Sequence, residues 1–123
     1  MSVAVLKLIS DTLTNAGINY EFGQWSSDPA YPYFVGEYTE SEPANEDGMI
    51  QSSFLLDGFS RGTWLDLEKA REIIERLFSN KIQMLESGSG VGIWYAGALI
   101  VPVNEPELKR MQINLTIKEW KVN

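Results

Sequence analysis

The chain of 123 residues contains neither cysteine nor histidine. The absence of histidine removes the commonest general base near neutral pH. The absence of cysteine removes thiolate nucleophiles, disulfide frameworks and most structural zinc sites. A Ser–His–Asp triad is impossible. Basic side chains are scarce at one end: residues 1–62 carry only Lys7 and Arg61 against nine acids, while residues 63–123 carry eight of each sign. The whole net charge of −7 therefore sits in the first half. Phosphate binding depends on Lys and Arg, so this balance argues against nucleic acid and anionic membranes as partners. There is no apolar run of membrane-spanning length. The opening "MSVAVLKLISDTL" lacks a basic n-region and a small-residue cleavage site, so no signal peptide is expected. With no disulfide framework either, the expected compartment is the cytoplasm.

What is present is an ordinary globular composition, with 44% hydrophobic and 22% charged residues. Its length predicts a single domain, 1–123, able to bury a core without staples. In "SVAVLKLISDTLTNAG", Leu6, Ile9 and Leu13 form a helical stripe with Val5 and Ala16 beside it, and Gly17 follows as a C′ residue. "INYEFGQW" reads as a short strand, and "SSDPAYP" as a turn. "YFVGEYTE" (33–40) and "MIQSSFLLDGFS" (49–60) read as strands joined by an acidic connection that contains Pro43 and Asp47-Gly48. A helix is predicted over 63–79. Thr63 and Asp66 are placed for a capping-box-like pair, and Trp64, Leu67, Ala70, Ile74, Leu77 and Phe78 mark its apolar stripe. "IWYAGALIVP" is one bent strand or two short ones. "LKRMQINLTIKEWKVN" alternates cleanly through Met111, Ile113, Leu115 and Ile117, and then its apolar phase shifts to Trp120 and Val122. That shift predicts a bulge, or a strand leaving the sheet edge. The expected fold is α+β: a mixed, mainly antiparallel sheet with two helices packed on one face, in the order helix, strands, helix, strands.

Carboxylates are the only chemistry left to weigh. Glu37, Glu40, Glu42, Glu46 and Asp47 fall within eleven positions. Their spacing does not match a calcium loop, and no apolar run flanks them to raise a carboxylate's pKa. They read as a solvated loop, with Glu40, Glu42, Glu46 and Asp47 as the candidate interaction residues. "SGSGVG" has neither a helix start nor a Lys-Ser/Thr pair after it, so it reads as a hairpin loop rather than a phosphate cradle. Loops 40–48 and 86–92 are expected to be mobile. Of Trp25, Trp64, Trp94 and Trp120, Trp64 belongs to the helix stripe. Trp120 falls off its strand's alternation and is the candidate subunit contact. No catalytic residue, cofactor site or metal site is expected.

Three stretches carry a resemblance: "YPYFVGEYTESEP", "EDGMIQSSFLLDGFSRGTWLDLEKAREII" and "ELKRMQINLTIKEWKV". From about residue 31 onward the chain resembles a tail protein carried by phages and prophages of Gram-positive bacteria. It is similar to the tail terminator and tail-completion proteins of long-tailed phages. The resemblance implies a mixed sheet flanked by two helices and a ring of subunits, commonly a hexamer, that caps the tail tube and helps join it to the head. The implied location is the virion tail, after assembly in the bacterial cytoplasm. The implied partners are the tail tube protein and a head-completion protein, and no catalytic residues are implied. Loops 40–48 and 86–92 would then face the lumen or a neighbouring ring. Two rival readings remain. One is a small acidic monomeric binding module, immunity- or antitoxin-like, that neutralises a basic protein. The other is a carboxylate-dependent hydrolase.

Overall fold

The computed structural model describes residues 1–25, 30–40 and 49–120. Glu42, Glu46, Asp47 and Val122 lie outside them. The elements run α1 (Val3–Asn15), β1 (Tyr20–Phe22), β2 (Tyr33–Glu40), β3 (Met49–Arg61), α2 (Trp64–Leu77), β4 (Lys81–Met84), β5 (Gly90–Val101) and β6 (Leu108–Trp120). Among the described residues the strands form a six-stranded sheet in the order β1-β2-β3-β6-β5-β4. Every neighbouring pair is antiparallel except β1 with β2. The α+β class and the mainly antiparallel, mixed sheet are as expected.

Both helices bury their stripes against one face of this sheet. α1 buries Val5, Ile9 and Leu13, and α2 buries Leu67, Ala70 and Ile74, with Phe78 at its C-cap. They meet Phe34 of β2, Phe54 and Leu56 of β3, Ile93 of β5, and Met111, Ile113, Leu115 and Ile117 of β6 in one core. Removing this apolar surface from water is the main favourable term for the fold. α1 starts where the Ser2 side-chain oxygen accepts the Val5 N–H at 3.3 Å. It ends at Gly17 with φ 83°, where the Gly17 N–H reaches the Thr14 carbonyl and the Ile18 N–H reaches that of Leu13. This is the double bond pattern that a left-handed glycine permits.

Four expectations change, and one open alternative, for β5, is decided. Thr63 is the N-cap of α2, but its hydroxyl makes no capping bond, so Asp66 helps only through its charge in the first turn. β4 was not anticipated: "KIQM" is too short to show a period and follows the helix closely. Residues 90–92 are strand, not loop, so the turn between β4 and β5 is confined to 85–89 and closes with Leu85 N–H on the Ser89 carbonyl at 2.8 Å. β5 is one strand whose register with β6 shifts between Tyr95 and Gly97, which leaves Ala96 as the extra residue of a bulge. Finally, β6 has no slip. Its ladder with β3 runs unbroken to Trp120 and Met49. The apolar phase changes because Glu119, only 2% exposed, takes the core-facing place and accepts the Ser2 N–H at 3.2 Å. Trp120 simply points to the opposite face. The carboxylate is accommodated because the start of α1 supplies its donor.

Candidate interaction face

Among the described residues the second face of the sheet carries no helix, and side chains on it form two apolar groups. At one end, Trp25 packs on Tyr33 with ring centroids 4.8 Å apart, Tyr33 lies 5.2 Å from Phe59, and Tyr31 lies 5.4 Å from Tyr33. Arg110 stacks over Phe59 at 5.6 Å and grips Asp57 with two bonds of 3.0 and 3.1 Å. That carboxylate holds the guanidinium's pKa above its ordinary value. Arg61 lies over Tyr31 at 5.6 Å and bonds Glu105 at 2.6 Å, which likewise raises its pKa. The arginines here are therefore already paired, and their flat faces serve the aromatic stack.

At the other end, Trp120 stands beside β4 and the start of β5. Ile82 and Met84 alternate onto this face and are each 68% exposed, and Trp120 is 38% exposed. Together with Gly88 and Gly90 they line a shallow cavity of about 510 Å³. One glycine of "SGSGVG" has a packing reason here. A Cβ on Gly92 would fall 2.2 Å from the Trp94 ring, so the indole lies flat over bare backbone. Lys118 Nζ sits over that ring, 5.8 Å from its centroid. A Cβ on Gly90 would touch Met84 and Trp120 at ordinary van der Waals distances.

Of the residues singled out in the sequence, Trp120 lies within this apolar group. Glu40 does not: it ends β2 on the helix-covered side of the sheet and pairs with the amino terminus of Met1. The remaining candidates, Glu42, Glu46 and Asp47, lie outside the described residues. Glu37, exposed on β2, contributes to the field around Arg110. Among the described residues no group of three or more acids is placed to hold a metal ion. Sequence reasoning missed Ile82, Met84, Tyr31, Tyr33, Phe59 and Arg110. The I-x-M spacing in "KIQM" was the available signal for the first two.

Chemically, the face offers apolar burial, aromatic surface and neutralised arginines, which is the composition of protein contact surfaces. No helix is long and apolar enough to cross a membrane among the described residues. No protein-family model matches the chain, and no curated protein matches it.

Proposed function

We propose that this protein is a non-enzymatic assembly subunit of a phage tail. In this reading it is a ring-forming terminator or completion protein that caps the tail tube and helps join it to the head. The observation that carries the reading is the helix-free sheet face, where Ile82, Met84 and Trp120 stand exposed beside an open strand edge. An exposed apolar cluster of this kind is expensive for a chain that works alone and useful for one that packs against copies of itself. The tail resemblance, which spans β2, β3, α2 and β6, points the same way. The acidic first half suits a lumen through which DNA passes without sticking. Partners under this reading are neighbouring copies, the tail tube protein and a head-completion protein.

The test is electron microscopy of lysates from the parent element with this gene deleted. Heads without tails, beside unjoined or overlong tubes, are expected. Normal virions would remove the assembly reading and leave the acidic binding module, which the charge split also suits. Complementation then addresses the loop. Because Glu40 already holds the amino terminus, a Glu42→Lys, Glu46→Lys, Asp47→Lys triple variant is a cleaner probe than one that includes it. It should fold normally and fail to join tails. Normal joining at low and high salt would remove the loop from the mechanism.

A further inference from the structure

β5 pairs with β4 only over its first residues, 90–93, while its pairing with β6 continues to Val101. Beyond the bulge, residues 96–101 therefore have no neighbouring strand on the side away from β6 among the described residues. Sheet edges are normally protected by charge, proline or a cover. This one carries no Asp, Glu, Lys or Arg between Glu86 and Glu105, and Pro102 comes only after the strand ends. Leu99 and Ile100, on opposite faces of the strand, are 50% and 56% exposed.

A groove of about 440 Å³ runs between this edge and α2. Its floor is apolar, made by Tyr95, Ala98, Ile100 and Met111. Its wall is acidic. Glu68 lines it, and Glu72 and Glu75 recur at i+4 and i+7 along the same stripe of α2; Glu68 is half-buried and the other two are exposed. Arg71 stands among them but is already engaged, by Glu68 at 3.0 Å, Glu75 at 3.6 Å and the Tyr95 hydroxyl at 3.5 Å. The wall thus keeps a net negative charge.

We infer that residues 96–101 and the α2 wall accept an extended segment of another protein, in which Lys or Arg alternates with β-branched apolar residues. Such a segment would continue the sheet beyond the end of β4. Its backbone would satisfy the open edge, as in other strand-addition complexes. Alternate side chains of an added strand point to opposite faces. On the α2 side, long basic side chains would lay their stems over Ala98 and Ile100 and place their charges at Glu68, Glu72 and Glu75. On the other side, apolar branches would cover Leu99. The occupant is basic because the wall is acidic, and a second copy with net charge −7 is the poorer match. The inference does not depend on the tail reading, since a binding module would use the same edge.

The test is amide NMR of the full chain titrated with the blocked peptide Ac-Val-Arg-Val-Arg-Val-Arg-NH2, with Ac-Val-Glu-Val-Glu-Val-Glu-NH2 as control. Saturable shifts and slowed hydrogen exchange are expected at residues 96–101, from the basic peptide alone. Ile100→Lys puts a cation on the groove floor and should weaken binding roughly tenfold or more. Glu68→Gln, which leaves the strand untouched, should weaken it several-fold. Three results would overturn the inference: no saturation up to about 1 mM, the range of the weakest specific contacts; shifts confined to acids elsewhere; or both variants binding like the parent. Concentration-dependent protection of residues 96–101 without peptide would also overturn it, because a second copy would then be the occupant.

Discussion

Gly58→Ala tests how tightly the sheet and its helical layer are fitted. Gly58 lies inside β3, paired with Phe34 on one side and Met111 on the other. A Cβ built there would stand 2.3 Å from Cε1 of Phe34, and 2.8 and 2.9 Å from two more atoms of the same ring. The ring cannot swing clear into water, because Phe34 is fully buried in the core. Overpacking of this kind costs about 1–3 kcal/mol. Replacing a strand glycine returns roughly 0.5–1 kcal/mol of that through lower chain entropy. A net loss of about 1–2 kcal/mol is expected, which lowers the Tm by roughly 4–10 °C for a domain of this size. The assay is thermal and denaturant unfolding followed by tryptophan fluorescence. Phe34→Leu supplies the internal check. It is destabilising alone, yet the double variant should cost less than the sum of the two, with a coupling of at least about 0.5 kcal/mol. An unchanged midpoint for Gly58→Ala, or strict additivity with Phe34→Leu, would refute the packing argument.

The Tyr20 hydroxyl is buried without a hydrogen-bond partner among the described residues, and burial pushes its pKa from 10.0 up to about 12. The unfolded chain therefore releases this proton first, so the group's stabilisation is complete below about pH 10 and is lost as pH rises toward 12. Tyr20→Phe should be neutral or slightly stabilising at pH 7 and should flatten the alkaline fall in denaturant midpoint; an unchanged alkaline slope would refute this. Arg110→Ala should cost about 1–3 kcal/mol, because it leaves Asp57, with a side chain 18% exposed, without its two-bonded partner. A double-mutant cycle with Asp57→Ala, read by urea unfolding, should show the pair coupled. Additivity within about 0.3 kcal/mol would make the bond energetically idle.

The sequence reveals those elements whose period is long and whose two faces differ. α1, α2, β3 and β6 each run 13 or 14 residues, long enough for a 3.6- or 2-residue period to stand out. β4 has four residues and no such room. Gly90 and Gly92 looked like loop because glycine is the usual sign of one. At Gly92 the reason is packing: the ring of Trp94, two residues on in the same strand, uses the space that a Cβ would occupy, whereas Gly90 would leave a Cβ room at ordinary contact distance. A contact between distant parts of the chain is invisible along it, as for Glu119, whose buried place depends on Ser2 at the far end of the sequence. Trp120 was correctly marked as out of phase, but for a different cause. The apolar group around it was legible only after β4 had been placed beside it.

The two candidate contact surfaces differ in kind, and salt should separate them. On the helix-free face Arg61 and Arg110 are spent on Glu105 and Asp57, and the exposed side chains around Trp120 are apolar. A partner bound there gains mainly from removing apolar surface from water, which added salt does not weaken. Along α2 the acidic stripe is solvent-exposed, and attraction to a basic segment falls as the screening length shrinks from about 10 Å at 0.1 M to about 3 Å at 1 M. Self-association that persists in 1 M sodium chloride and disappears in Trp120→Ser or Met84→Ser would place the subunit contact on the open face. Binding of a basic peptide at the acidic helix and the β5 edge should instead vanish with salt. Self-association that survives Trp120→Ser and Met84→Ser would place the subunit contact elsewhere. In that case the exposed Ile82, Met84 and Trp120 would not be the assembly surface, and the observation that carries the proposed function would lose its force.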